Sequence, residues 1–147
     1  MTSRAAIVQE ARSWLQTPYA HQARVKRVGV DCAGLVIGVG RALGLVPPSF
    51  DINGYARTPD GVSLVQQCDR FMTRIGREEM RAGDVIVLRF EADPQHLGIV
   101  ADYYTGGHLS IIHALGTRDG GGRVVEHRLD ETTLARFVAA YRLPGIE

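Results

Sequence analysis

Apolar residues recur at helical spacing over residues 3 to 16, over residues 32 to 43 and over residues 64 to 75. The second stretch has the clearest boundaries, because Asp31 stands where an N-cap residue is favoured and Gly44 where a helix commonly stops. The pattern therefore predicts three amphipathic helices in the first half of the chain.

The second predicted helix contains three interior glycines, Gly34, Gly38 and Gly40. Each glycine costs about 1 kcal/mol relative to alanine inside a helix, so we expect this face to lie tightly against another backbone, such as a sheet. The alternative of a dinucleotide-binding loop is rejected because the spacing differs from G-x-G-x-x-G and no clear strand precedes it.

Short β-rich runs follow Gly83, and glycine or proline separates them. The runs cover residues 84–90, 96–104, 108–115, 122–129 and 138–144. Residues 46 to 61 are rich in proline, Asn-Gly and Asp-Gly, which indicates an irregular connection. The order of elements predicts an α+β fold in which the helices pack on an antiparallel sheet, with residues 1–147 forming a single domain.

Charge and the N-terminal residues narrow the class of partner. Seventeen Lys and Arg balance sixteen Asp and Glu, and neither sign forms a block, so nucleic acid is not an expected partner. Polar residues from Arg4 to Arg12 interrupt the first apolar stretch, which is unlike a signal peptide or a membrane span. We therefore expect no membrane insertion, and delivery by another component if the protein acts in a cell envelope.

Cys32 is a candidate nucleophile because it begins the predicted second helix. A helix N-terminus favours the thiolate through its unpaired amides and the positive end of its dipole. The carboxylate of Asp31 opposes this unless the carboxylate is neutralised by capping. The competing interpretation is a small buried core residue, which is also the expectation for Cys68 within the third helical stripe.

His96 and His113 are candidate partners for this thiol, because they fall near the start of one predicted strand and the end of the next. A four-residue loop from Tyr103 to Gly106 would place the two histidines directly opposite each other, with Cβ atoms about 4.5 to 5.5 Å apart. A two-residue turn would instead set His113 opposite Val100 and separate the pair. In the first register His96 could take the thiol proton and His113 could hold the tautomer of His96.

Two other interpretations of these residues stay open. Cys32, His96 and His113 could hold zinc with water as a fourth ligand, or the histidines could be half-exposed strand residues. Tyr19 could present its hydroxyl to the site or pack in the core. The other histidines, at positions 21, 108 and 127, lack evident partners and are expected in loops or facing solvent.

Residues 31 to 36 (DCAGLV), 96 to 100 (HLGIV) and 111 to 114 (IIHA) resemble the motifs of NlpC-type cell-wall cysteine peptidases. Residues 10 to 22 are similar to the phage-tail branch of that family. The resemblance implies a papain-like core with a sheet of five to six strands and no cofactor.

For the site, the resemblance implies that Cys32 attacks, that His96 is base and then acid, and that His113 orients His96. Tyr19 and Asp31 would bind substrate. The implied substrate is the peptidoglycan stem peptide, cut between D-γ-glutamate and diaminopimelate. The implied partners are phage tail hub or tip proteins, which would place the chain in the virion tail, or in the cytoplasm before assembly, and its activity in the periplasm or cell wall.

The chain departs from the pattern at Ala33, where many relatives carry a serine that helps to bind the amino end of the stem peptide. Three alternative functions are a tail-tip subunit without turnover, an acyltransferase and a host wall hydrolase. The acyltransferase requires a lipid-sized apolar cleft, and the host enzyme requires an export signal.

Overall fold

The computed structural model describes residues 1–51, 63–90, 93–102, 107–117, 119 and 121–146, and it confirms the predicted α+β class. The helices are α1 (Arg4–Arg12), α2 (Cys32–Ala42), α3 (Ser63–Phe71) and α4 (Glu131–Leu134), with a 3-10 turn at Arg77–Glu79. The strands are β1 (Arg24–Val25), β2 (Gly29–Val30), β3 (Thr73–Ile75), β4 (Val85–Phe90), β5 (Asp93–Asp102), β6 (Leu109–Gly116), β7 (Gly122–Arg128) and β8 (Phe137–Arg142).

Six of the strands form one antiparallel sheet in the order β3-β8-β4-β5-β6-β7. Each of the five β-rich runs after Gly83 forms one of these strands. Alternate residues along a strand face opposite sides of the sheet, so each central strand contributes to two cores. On β5, Leu97 and Ile99 belong to the first core, which α1, α2 and α3 cover, whereas Val100 belongs to the second.

The predicted third helix is wrong in its last part. Helix α3 ends at Phe71, and Thr73–Ile75 forms an edge strand that pairs with β8. The apolar residues of this stretch are therefore divided between the two cores, because Leu64 packs in the first core while Ile75 packs against the second. Pairing with β8 supplies backbone hydrogen bonds that outweigh the helical spacing of a single isoleucine.

The close approach predicted for the glycines of α2 occurs, but not against the sheet. A Cβ atom on Gly38 would overlap the ring of Trp14, and one on Gly34 would lie 2.5 Å from the carbonyl oxygen of Ala23. These glycines therefore let α2 pack against the end of the first helical region and against the segment that precedes Cys32.

Two sequence-based predictions fall partly or wholly outside the described residues. They are most of the irregular connection at 46 to 61, of which 46–51 are described and contain no helix or strand, and the four-residue loop at 103 to 106. Among the described residues, no helix combines the length and apolar character that crossing a bilayer requires.

Candidate active site

The segment before α2 is fastened to the edge of the large sheet. The backbone N–H of Tyr19 donates to the carbonyl of Gly122 at the start of β7, and Tyr19 also forms a bridge with Val30. A Cβ atom on Gly116 would lie 3.0 to 3.2 Å from the Tyr19 ring, so the ring rests on the end of β6. These contacts hold the start of α2 near the end of the sheet where β6 finishes and β7 begins.

Asp31 caps α2 as predicted, and its charge is balanced. Its Oδ1 accepts from the backbone N–H of Gly34 at 2.8 Å and from Nη1 of Arg24 at 2.9 Å. Its Oδ2 accepts from the backbone N–H of Gln22 at 2.7 Å, and the side chain is almost wholly buried. The capping and the ion pair provide the neutralisation that a thiolate at Cys32 requires next to a carboxylate.

Cys32 is the first residue of α2 and is partly buried against the first core. This position gives its sulfur the helix-start environment that favours a thiolate. Ala33 and Leu97, which follow Cys32 and His96 in the chain, line one small cavity. The first turn of α2 therefore lies on the same side of the sheet as Leu97 of β5.

His96 and His113 are in contact, although the predicted register is wrong. Strands β5 and β6 pair with Ile99 opposite Ile112 and with Asp102 opposite Leu109, two residues away from the expected register. Continuing this pairing sets His113 opposite Gly98, so His96 is its diagonal neighbour on the same face. The rings bridge the diagonal, and Nε2 of His96 lies 2.7 Å from Nδ1 of His113.

His127 extends this contact, and the expectation that it lacks a partner is wrong. Its Nε2 lies 2.7 Å from Nε2 of His113, and its Nδ1 lies 3.3 Å from the carbonyl oxygen of Arg128. The pairing of β6 with β7 explains the contact, because Val125 lies opposite His113 and His127 is again the diagonal neighbour. A signal was present in the sequence, since the glycines between the two β-rich runs predict a hairpin, and a hairpin can bring residues 113 and 127 onto one face.

The two buried histidines of this group, His96 and His113, are neutral at physiological pH. Burial lowers the pKa of His96 to about 4, with a smaller contribution from His127. Burial also lowers the pKa of His113 to about 2, assisted by the charges that its two histidine neighbours would carry. A neutral imidazole has one donor and one acceptor nitrogen, which is what a series of N–H···N bonds requires.

The hydrogen bonds also bear on the zinc interpretation. Both ring nitrogens of His113 are engaged, Nδ1 with His96 and Nε2 with His127. His113 would have to break one of these bonds to ligate a metal through a nitrogen lone pair. The residues present therefore fit a hydrogen-bonded relay better than a zinc centre.

The second thiol has a different environment. Cys68 lies in the first core and lines the same apolar cavity as Ala33, with a volume of about 50 Å³. Burial, followed by smaller contributions from Cys32 and Asp69, raises the pKa of Cys68 to about 12. The expectation that Cys68 is a core residue fits this position, and its sulfur is poorly suited to act as a nucleophile.

Comparison with known proteins identifies the fold of the chain. No family model and no curated protein matches the chain. Solved structures do match, and one is the NlpC/p60 domain of the peptidoglycan hydrolase SagA, with 23% identity and a TM-score of 0.61 over 95% of this chain and 98% of that domain. The fold is that of an NlpC/p60 domain. The predicted papain-like architecture is thereby confirmed.

Two further NlpC/p60 structures give the same result. A lipoprotein-like family member from Staphylococcus aureus is 21% identical with a TM-score of 0.61, and one from Bacillus cereus is 16% identical with a TM-score of 0.64. The matches cover 95% and 97% of this chain but only 41% and 40% of those chains. The chain therefore spans less than half the length of these two proteins.

Proposed function

We propose that the chain is a cysteine peptidase that hydrolyses a peptide bond in the peptidoglycan stem peptide, with the bond between D-γ-glutamate and diaminopimelate as its target. The observation that carries the proposal is the hydrogen bond between His96 and His113, on an NlpC/p60 fold whose α2 begins at Cys32. The name of the SagA structure, a peptidoglycan hydrolase, supports the choice of substrate.

In the proposed reaction, His96 is the base and Cys32 is the nucleophile. Nε2 of His96 faces His113, so Nδ1 is the nitrogen that takes the thiol proton. The thiolate attacks the scissile carbonyl, and backbone amides at the start of α2, including that of Cys32, stabilise the oxyanion. His96 then returns the proton to the leaving amine as the C–N bond breaks, and a water molecule that His96 deprotonates hydrolyses the thioester and restores the thiol.

The proposed reaction requires these groups to meet at one end of the sheet. Cys32 lies on the side of the sheet that α2 covers, whereas His96 pairs with Leu88 and shares the opposite face with it. We infer that the thiol and Nδ1 meet around the N-terminal end of β5, next to the register shift between Leu88 and Phe90. We propose that Tyr19 borders this end of the sheet and contacts substrate, and that Asp31 contributes by holding the adjoining segment.

The test is mass spectrometry of purified sacculi after digestion by the wild type, by Cys32→Ala and by Cys68→Ala as a matched loss of a thiol. We expect new fragments from the wild type and from Cys68→Ala, and none from a folded Cys32→Ala variant. The fragment masses identify the bond. Undiminished cleavage by Cys32→Ala would overturn the assignment of the nucleophile, and loss of wild-type cleavage in a chelator would revive the zinc interpretation.

Delivery by a phage or phage-like tail is also proposed, on the similarity of residues 10 to 22 to the tail-associated branch. The partners would be tail hub or tip proteins, and the site of action would be the periplasm or cell wall. Detection of the chain in purified particles by mass spectrometry tests this. A tail-tip subunit without turnover would be incorporated in the same way but would leave sacculi intact.

The acyltransferase alternative requires a lipid-sized apolar cleft, and the apolar cavity beside Ala33 is too small to be one. That cavity, as the described residues form it, measures about 50 Å³. A protein cavity of about 150 Å³ is known to accept benzene. A lipid acyl chain requires much more space than either volume.

A further inference from the structure

The rings of three histidines form a hydrogen-bonded series that ends at a backbone carbonyl oxygen. His96 lies next to His113, His113 next to His127, and His127 next to the carbonyl oxygen of Arg128. The two imidazole contacts are both 2.7 Å, a short distance for a nitrogen donor and acceptor. Each contact requires one protonated and one unprotonated nitrogen, so the tautomers of the three rings are not independent.

The carbonyl of Arg128 can accept a hydrogen bond but cannot donate one. A proton on Nδ1 of His127 satisfies that carbonyl, which leaves Nε2 of His127 as an acceptor. Nε2–H of His113 then donates to His127, and Nδ1 of His113 becomes the acceptor for Nε2–H of His96. The remaining nitrogen, Nδ1 of His96, carries no proton and can act as a base.

The reverse order of neutral tautomers is unfavourable. It would set the lone pair of His127 Nδ1 against the carbonyl oxygen of Arg128, and it would place a proton on Nδ1 of His96. An imidazole in that form cannot accept the proton of a thiol through Nδ1. The backbone carbonyl at the far end of the series therefore selects the form of His96 that catalysis needs.

We propose that His127 is a positioning residue that fixes the tautomers of His113 and His96, and that the Arg128 carbonyl sets the direction of the whole series. This inference rests on the proposed function for its catalytic consequence, because it assigns Nδ1 of His96 as the base. Its structural content, the order of protons along the three rings, is measurable without any substrate.

The first experiment is ¹⁵N NMR of the imidazole rings in the wild type, at a pH above the ordinary imidazole pKa of about 6.5. We expect Nε2–H on His96 and His113 and Nδ1–H on His127. In His127→Leu, which removes the acceptor for His113, we expect an Nδ1–H population of His96 to appear. His96 and His113 tautomers that are identical in the wild type and in His127→Leu would overturn the inference.

The second experiment is cleavage of purified sacculi by His127→Leu and by His127→Gln. The side-chain oxygen of glutamine can accept from Nε2–H of His113, so this variant should retain most of the activity. We expect kcat to fall about tenfold to hundredfold in His127→Leu with little change in KM, since a wrongly protonated histidine impairs general base catalysis. Equal kcat values for His127→Leu and the wild type would contradict the catalytic role.

His108→Ala is the matched control, because His108 is an exposed histidine whose Nδ1 lies 3.3 Å from Arg128 Nη2, outside the series. It should leave the ring tautomers and the cleavage rate unchanged. If wild-type protein fails to cleave sacculi, the proposed function fails, whereas the NMR result still decides whether His127 orders the protons.

Discussion

The rings of His96 and His113 are 2.7 Å apart at their nearest nitrogens, although the two residues are diagonal neighbours across β5 and β6. Gly98, which lies opposite His113, makes this contact sterically feasible. A Cβ atom on Gly98 would be 3.3 Å from Cβ of His113 and 2.5 Å from the side chain of Ile111. The absence of a side chain at Gly98 thus leaves room for the Ile111 side chain and for the start of the His113 side chain.

We expect Gly98→Ala to lower the free energy of unfolding by about 1 to 3 kcal/mol, because the added methyl group overpacks a buried site beside Ile111. Urea denaturation measures this loss. The same variant should weaken the coupling between the rings of His96 and His113, which ring ¹⁵N NMR detects.

Gly40→Ala is a suitable control for this substitution. Among the described residues, its added Cβ would meet the end of the Val46 side chain, at 3.3 Å, and alanine is preferred to glycine inside a helix. Its stability should stay within about 1 kcal/mol of the wild type. Comparable losses in both variants would show that the crowding at Gly98 has no special effect.

The two thiols should differ in reactivity. Burial raises the pKa of Cys68 to about 12, so this thiol stays protonated and shielded in the folded protein at neutral pH. We expect iodoacetamide to modify Cys32 alone under native conditions, as read by peptide mass spectrometry. Both cysteines should react in denaturant, and native modification of Cys68 at the rate of Cys32 would contradict its placement in the core.

Stability should fall on acidification because His96 and His113 resist protonation when folded. Their pKa values are lowered to about 4 and about 2, whereas in the unfolded chain they lie near the ordinary value of about 6.5. Below pH 6.5 the unfolded state therefore binds protons that the folded state does not. Stability that is fully present above pH 6.5 is lost as pH falls toward 4, at a limiting slope of about 1.4 kcal/mol per pH unit for each histidine.

Urea denaturation between pH 7 and pH 5 measures this slope while carboxylates stay largely ionised. His108→Ala should keep the wild-type slope, because this exposed side chain lies outside the series. A folded His113→Asn variant should have a smaller slope than the wild type, because one of the two buried histidines is absent. A pH-independent stability in the wild type would be incompatible with two buried neutral histidines.

The sequence predicted the elements around the site more accurately than the contacts between them. Asp31 as N-cap and Cys32 as the first helical residue were predictable, because capping depends on local chemistry. The register of β5 against β6 was not, since it depends on the connecting loop and on packing across the sheet. His127 was missed because its contact with His113 depends on the register of β6 against β7, which was not worked out from the glycine-rich stretch between the two strands.

The last prediction concerns the predicted substrate-binding role of Asp31. In Asp31→Asn one carboxylate oxygen becomes an NH₂ group, which cannot accept from the backbone N–H of Gln22 or, if the amide is flipped, from Gly34 and Arg24. We expect a loss of about 2 kcal/mol in the free energy of unfolding, the usual range for a hydrogen bond to a charged group. If the segment that Asp31 holds also binds substrate, KM for sacculus-derived peptides should rise severalfold while kcat changes little.

Asp130→Asn is the matched control, because Asp130 is an exposed N-cap that accepts from the backbone N–H of Thr133 at 2.8 Å. Asparagine and aspartate are comparable N-cap residues, so this variant should keep the wild-type stability and both kinetic constants. A KM that is unchanged in Asp31→Asn would confine Asp31 to folding. Substrate recognition would then have to come from Tyr19 and other residues around the end of β5.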